Sequence, residues 1–291
     1  MEIVYHIGAN CTDGDRLVRA LVKNASTMAP KGIRVPSPAR YRRLLRETIQ
    51  NLAGASPAEG TRDILLDAIT DPQNCDRLVM SNTAFIGLPV RVFEAGLFYG
   101  QMEMKLRALR LIFPEDDLHI GLALRNPATF VPALWKQVQR GTFEGFMGGT
   151  DPMTLRWSDV IARIHATIPR ARLTIWCNED TPLIWGAVMR RLLGVSDKTA
   201  IEGEYDLLAT IMSEPGMARF QAYLGSHPPQ SQLQLRRVIA AFLDKYAIPE
   251  EIEEEVDLPG WDARLVDDLT RAYEEDVIRI GGMDGVEFVA P

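Results

Sequence analysis

The clearest indication of the fold lies in residues 5–21, which read Tyr5-His-Ile-Gly-Ala-Asn-Cys-Thr-Asp-Gly-Asp-Arg-Leu-Val-Arg-Ala-Leu21. It starts with an apolar run, passes through a turn that contains two glycines, and continues with apolar residues at helical spacing. A strand, a glycine-containing turn and a helix form the repeating unit of parallel α/β sheets. The stretch therefore predicts a turn whose backbone N–H groups and following helix N-terminus can face an anion such as phosphate.

The same alternation of short apolar runs and helical segments continues along the first two thirds of the chain. Buried strands are predicted at residues 3–7, 77–80, 119–124 and 173–177, each followed by a polar turn and a helix. Inserted helices are predicted near 38–72, and only helices after Gly194. We therefore predict an α/β fold with three layers around a central parallel sheet. Residues 1–200 form its core, and residues 201–291 form a helical C-terminal extension packed on that core.

Composition restricts the classes of function. The 291 residues are 46% hydrophobic and carry a net charge of -7, which suits a large globular core and gives no general attraction to nucleic acid. No apolar run approaches the roughly 20 residues of a membrane span, and the start does not resemble a signal peptide, so we expect a cytoplasmic protein. The three cysteines and four histidines are scattered, so we expect no disulfide and no metal site. The oligomeric state does not follow from the sequence.

An acidic run lies near the C-terminus, at residues 249–257. It contains six acidic residues between Pro249 and Pro259. Such a run is typical of a solvated connector. A docking segment for a basic partner is the alternative, but no second feature of the sequence supports it.

The turn at residues 8–15 is open to two interpretations. It is not a Walker motif, because the spacing from Gly8 to Gly14 is one residue too long and no Lys-Ser/Thr pair follows. It could form a phosphate site, or a plain connection whose helix is capped by an aspartate. Cys11 could also be a reactive thiolate at a helix N-terminus, although Asp13 and Asp15 oppose a lowered thiol pKa.

Residues 6–15 resemble the first loop of bacterial sulfotransferase-like proteins, which reads H-I-G-x-x-K-T-G-[ST]-[ST]. Four residues match this pattern: His6, Ile7, Gly8 and Thr12. Cys11 stands where the resemblance implies a lysine that grips the phosphosulfate. Asp13 replaces a glycine, and Gly14 and Asp15 replace the hydroxyl pair.

Later segments extend the resemblance along the chain. Residues 124–133 are similar to the family segment R-[NR]-P-x-x-x-x-x-S, with Arg125 at the arginine that contacts the 3′-phosphate of the donor and Ala133 in place of the serine. Thr83 takes the place of a glutamate in an S-x-E pattern. Residues 269–276, followed by Gly285-Val, are similar to a closing helix with a Y-x-x-D pattern.

The resemblance implies an α/β fold of the P-loop type. It also implies transfer of a sulfuryl group from 3′-phosphoadenosine-5′-phosphosulfate (PAPS) to a hydroxyl of a carbohydrate or small molecule. PAPS, or its product adenosine 3′,5′-bisphosphate, would then be the cofactor. The implied cofactor-binding residues are Gly8, Ala9, Asn10, Cys11, Thr12, Asp13, Gly14, Asp15 and Arg125, and the sequence identifies no catalytic residue.

The departures from the pattern favour a second hypothesis. A carboxylate about 5 Å from a phosphate costs roughly 1–3 kcal/mol at an effective dielectric between that of water and a protein surface. We expect Asp13 and Asp15 to cap the helix themselves and the loop to reject the phosphosulfate, unless a Lys or Arg from elsewhere reaches it or a metal ion bridges it. On the following helix, Arg16 is the only near candidate, because Arg19 and Lys23 lie too far along it. The alternative is therefore a catalytically inactive binding or regulatory protein on the sulfotransferase fold. A nucleotide-dependent kinase is weaker, because both Walker signatures are missing.

Overall fold

The computed structural model describes residues 1–138, 140–252, 256, 258 and 260–291. These residues contain one parallel sheet of six strands in the order β2-β3-β1-β4-β5-β6. In chain order the strands are β1 (Glu2–Gly8), β2 (Ile33–Arg34), β3 (Arg77–Ser81), β4 (Asp117–Leu124), β5 (Arg172–Cys177) and β6 (Val286–Phe288). The predicted α/β class with a central parallel sheet is confirmed.

Two of the six strands were not predicted from the sequence. β2 has two residues and β6 has three, which is too short for an apolar pattern to be recognised. β6 pairs with β5 through Leu173 and Val286. The C-terminal segment, predicted to contain only helices, therefore also adds the edge strand of the sheet.

Helices cover both faces of the sheet and continue beyond it. They are α1 (Arg16–Lys23), α2 (Ala25–Met28), α3 (Pro38–Leu52), α4 (Thr61–Ile69), α5 (Met102–Ile112), α6 (Pro127–Val138), α7 (Phe143–Met147), α8 (Trp157–Thr167), α9 (Thr181–Leu193), α10 (Leu208–Ile211), α11 (Glu214–Ser226), α12 (Gln232–Tyr246), α13 (Pro249–Ile252) and α14 (Ala263–Gly281). The inserted helices predicted near 38–72 are α3 and α4.

The alternation of side chains along β1 divides the core into two layers. Ile3 and Tyr5 pack into a cluster with residues of α3, α5, α8 and α14. Val4 packs on the opposite face, in a cluster with residues of α1 and α9. Side chains of successive strand residues point to opposite faces, so the central strand is buried on both sides and the fold has three layers. Each fully buried aliphatic side chain contributes about 1.5–3 kcal/mol relative to exposure.

The C-terminal third divides differently from the predicted boundary at residue 200. α14 belongs to the core, because Leu269 and Ile280 lie in the same cluster as β1. The helices α10, α11 and α12 form a separate unit, which we call the annex, around the fully buried Phe220. At the base of the annex, Ser213 N–H donates to the Tyr246 carbonyl (2.9 Å) and Ile248 N–H to the Ile211 carbonyl (2.9 Å).

Two further expectations bear on this part of the chain. None of the helices in the described residues is both long and apolar enough to cross a membrane. α13 covers the beginning of the acidic run, whereas residues 253–255 and 257, on which the connector prediction also falls, lie outside the described residues.

The separate cluster of the annex predicts that its stability can be lowered independently of the sheet. We expect Phe220→Ala to reduce the protection of annex amides by about 3–5 kcal/mol, because it leaves a cavity in a small core. Hydrogen exchange with mass spectrometry measures this, with Leu233→Ala, at an exposed position of α12, as the control. An equal loss of protection in β1 and β4 would show that annex and sheet unfold as one unit.

Candidate functional site

Three turns meet at the carboxyl edge of the sheet. The first loop (residues 9–15) follows β1, residues 125–126 follow β4, and residues 178–180 follow β5. Ala9 N–H donates to the Ala123 carbonyl (3.0 Å), and Asn178 N–H donates to the Leu124 carbonyl (2.7 Å). Because these neighbouring strands are parallel, the first loop and Arg125 lie at the same end of the sheet, where α/β folds bind ligands.

The beginning of the first loop is buried rather than presented to a ligand. Ala9 is fully buried and Asn10 is 3% exposed. The Tyr99 hydroxyl donates to Asn10 Oδ1 (2.7 Å) and accepts a longer hydrogen bond from the backbone N–H of Asn10. Asn10 Nδ2 donates to the Gly87 carbonyl (3.1 Å). The segment after β3 thus holds this half of the loop, and Gly8, Ala9 and Asn10 have a structural role.

Gly8 is required by the backbone around it. Its φ is 149°, and a Cβ placed there would lie 3.2 Å from the carbonyl oxygen of Thr83. A side chain at this position would strain the backbone and press against the neighbouring segment. Thr83, at the position where the resemblance implies a glutamate, therefore limits position 8 through its carbonyl.

Asp13 occupies the start of α1 with its own carboxylate. It is 8% exposed, and its Oδ2 accepts the backbone N–H of Leu17 (2.8 Å). Its carbonyl accepts the N–H of Arg16 (2.9 Å), and the neighbouring Thr12 hydroxyl donates to the Ala9 carbonyl (2.8 Å). The expectation that Asp13 satisfies the helix start is met.

Asp15 does not cap the helix with its side chain, contrary to the prediction. It has a φ of 65°, and its two carboxylate oxygens each accept a hydrogen bond of 2.7 Å from the guanidinium of Arg42. Arg42 Nε also donates to the Ser81 carbonyl (2.9 Å). These hydrogen bonds from Arg42 hold the pKa of Asp15 below its usual value.

Arg42 is the residue at the first loop that sequence reasoning missed. It lies on α3, where no spacing rule links it to the loop, and its one signal is that it follows Tyr41 on the buried face of that helix. Tyr41 donates to the Ser81 carbonyl (2.9 Å), which brings its neighbour to the same strand end. Arg19 also reaches the loop, donating to the Gly14 carbonyl (3.1 Å), whereas Lys23 pairs with Asp206 (2.7 Å). The prediction that Arg19 lies too far along α1 is therefore wrong, and Arg42 is a cation from elsewhere in the chain that reaches the loop.

Arg125 faces the first loop as its strand position predicts. It is 8% exposed, its guanidinium donates to the carbonyl of Cys11, and its Nε donates to the hydroxyl of Thr129 (3.2 Å). Its own carbonyl accepts the indole N–H of Trp157 (2.9 Å). These contacts tie the end of β4 to the first loop.

A cleft of about 800 Å³ opens beside the first loop, between the core and the annex. Thr12 and Asp13 line it, so the exposed half of the first loop forms one wall. The other described lining residues are Arg16, Asn126, Thr129, Asn178, Glu179, Thr181, Pro182, Leu183, Trp185, Leu207, Thr210, Ile211, Ala240, Leu243, Asp244, Glu251 and Ile252.

Glu179, which lines the cleft, accepts a hydrogen bond from the protein on each of its carboxylate oxygens. Its Oε1 accepts the backbone N–H of Asn126 (2.7 Å), and its Oε2 accepts the hydroxyl of Tyr273 (3.0 Å). Tyr273 begins the Y-x-x-D pattern of α14, and the aspartate of that pattern, Asp276, accepts the N–H of Ser158 (3.0 Å) at the start of α8. Sequence reasoning missed Glu179, although a charged residue two positions after a buried strand was a usable signal.

His6 is a core histidine, not a residue of the cleft. It is 1% exposed, its Nδ1 lies 2.9 Å from the hydroxyl of Ser81, and its ring packs 5.5 Å from that of Trp176. Burial lowers the pKa of its imidazole. Its burial and its contacts with Ser81 and Trp176 give His6 a structural role.

Neither a metal centre nor a relative emerges from these observations. In the part of the chain that the structure describes, no three His, Cys, Asp or Glu residues are grouped so as to hold a metal ion. No family model, curated protein or solved structure matches the chain. The fold and the cleft together define an α/β protein with a candidate ligand site at the carboxyl edge of its sheet.

The Asp15–Arg42 pair predicts a pH dependence of stability. Because the pKa of Asp15 is lowered on folding, the pair stabilises the fold above the unfolded value of 3.8 and loses this effect as pH falls through the folded pKa. We expect Asp15→Asn to lower the free energy of unfolding by about 1 kcal/mol or less at neutral pH, since the pair is partly exposed. Below the folded pKa of Asp15, the substitution should change the free energy of unfolding very little. Urea unfolding at a series of pH values measures this, with Asp67→Asn on the exposed face of α4 as the control. A cost for Asp15→Asn that stays constant down to acid pH would contradict the assignment.

Proposed function

We propose that this protein is a ligand-binding protein that uses a sulfotransferase-type scaffold without transferring sulfuryl groups. The observation that carries the proposal is the carboxylate of Asp13 at the start of α1, buried and bonded to the N–H of Leu17. The resemblance to sulfotransferase-like proteins implies that the corresponding helix start would face the phosphosulfate of PAPS. Here it faces a negative charge that belongs to the protein.

The electrostatics of the first loop support this proposal. A phosphate brought to the helix start would meet Asp13 at short range, which costs roughly 1–3 kcal/mol at a partly screened site. The positive charge of Arg42 is balanced by its two hydrogen bonds to Asp15. Cys11, at the position of the gripping lysine, adds no positive charge. The residues of the first loop therefore do not fit PAPS.

A PAPS-dependent sulfotransferase acting on a hydroxyl acceptor is the second candidate. One observation favours it, namely that guanidinium groups from α3 and from the end of β4 both reach the first loop. Arg42 could turn from Asp15 to a bound phosphate and so take over the charge of the missing lysine. Donor binding is therefore the property that separates the two candidates.

Calorimetric titration with adenosine 3′,5′-bisphosphate tests the proposal. We expect weak or no binding by the natural protein, and binding at least about a hundred-fold tighter by Cys11→Lys combined with Asp13→Asn and Asp15→Asn. Asparagine retains an acceptor for Leu17 N–H and tolerates the positive φ at position 15. The combination adds three units of positive charge at the first loop and frees Arg42 from its carboxylate partner.

A matched control separates local charge from net charge. Glu59→Gln with Asp67→Asn removes two exposed carboxylates outside the first loop and should leave binding unchanged. Tight binding of the bisphosphate or of PAPS by the natural protein would overturn the proposal in favour of the sulfotransferase. If a folded triple variant also fails to bind, the carboxylates of the first loop are not the reason for weak binding.

A further inference from the structure

The cleft between the core and the annex has carboxylates that protein donors hold in place. Glu179 is held by the N–H of Asn126 and the hydroxyl of Tyr273, and Asp13 is held by the N–H of Leu17. These protein donors fix the orientation of both carboxylates before a ligand arrives. A carboxylate accepts about four hydrogen bonds, so these contacts do not use the full acceptor capacity of either group.

The charge of the lining has one predominant sign. Among the described residues that line the cleft, four carry a carboxylate, namely Asp13, Glu179, Asp244 and Glu251, and Arg16 carries the one guanidinium. Carboxylates come from the core and also from α12 and α13 on the opposite side. A cleft lined mainly by one sign of charge concentrates ligands of the other sign.

The remaining lining of the cleft is partly apolar, beside uncharged polar side chains from Thr12, Asn126, Thr129, Asn178, Thr181 and Thr210. Pro182, Leu183 and Trp185 contribute from the start of α9, and Ile211 and Leu243 contribute from the annex. The side chain of Trp185 is fixed by its indole N–H, which donates to the Gly203 carbonyl (3.0 Å). Carboxylates beside an apolar wall favour a ligand with a cationic group attached to a hydrocarbon body.

We infer that the cleft binds an organic amine, in which an ammonium group faces the carboxylates of Glu179 and Asp244 while its hydrocarbon part packs against α9 and the annex. This inference rests on the proposed binding function and names the class of its ligand. A bare metal ion is a poorer match, because the apolar wall would contribute nothing to its binding. An anion is disfavoured by the predominance of carboxylates.

Three probes of equal length separate charge from hydrophobic contact. We expect hexan-1-amine to bind at least about tenfold more tightly than hexan-1-ol, and hexanoate to bind less tightly than either. Calorimetry and ligand-observed NMR with the full chain measure all three. Raising the salt concentration should weaken binding of the amine while leaving that of the alcohol unchanged, because salt screens charge.

Variants locate the site. Glu179→Gln and Asp244→Asn retain shape and remove one charge each, and each should weaken hexan-1-amine binding at least threefold without changing the alcohol. Asp67→Asn, away from the cleft, should change neither. Urea unfolding of each variant ensures that the comparison is made on folded protein.

The outcomes distinguish this inference from the proposed function. Equal affinity for amine and alcohol, tighter binding of hexanoate, no binding of the amine, or no effect of the two cleft variants overturns the inference. If the bisphosphate also fails to bind, the proposed function stands without this ligand class. If the bisphosphate binds tightly, the proposed function itself fails, whatever the amine does.

Discussion

β1 pairs in parallel with both β3 and β4, and this pairing determines where the core layers and the candidate site lie. It places a strand that is buried on both faces at the centre of the sheet and brings the turns after β1, β4 and β5 to one edge. The helices α1 and α9 then begin at that edge, and the annex can face them across a cleft. A slip of one residue in this register would exchange the two core layers.

The first loop combines a ligand-site position with the chemistry of a self-contained turn. Its N-terminal half is fixed by Tyr99 and Gly87, and its carboxylates are bonded to Leu17 and Arg42. The carboxylates of this loop therefore have partners within the protein. The neighbouring cleft, whose lining comes from segments far apart in sequence, is the candidate ligand site at this edge.

Particular residues show how far the sequence predicts this molecule. The long apolar runs at 77–80 and 119–124 predicted their strands, because burial on both faces leaves a strong pattern. β6 is too short for such a pattern, and its pairing depends on the packing of α14. At the site, the sequence around the helix start predicted the capping role of Asp13. The roles of Arg42 and Glu179 depend on tertiary contacts, with Asp15 and Tyr273 respectively, which residue spacing does not predict. The function implied by the resemblance remains a prediction.

The annex forms one side of the cleft, so ligand binding there is coupled to the folding of the annex. The bonds from Ser213 to Tyr246 and from Ile248 to Ile211 close the base of the annex, while Ile211, Leu243 and Asp244 line the cleft. A ligand that touches both sides therefore binds only when the annex is folded and docked. Occupancy and annex folding belong to one linked equilibrium, so each tenfold excess of ligand over its dissociation constant shifts annex folding by about 1.4 kcal/mol. For such a ligand, its concentration would set the fraction of molecules in which the annex is folded.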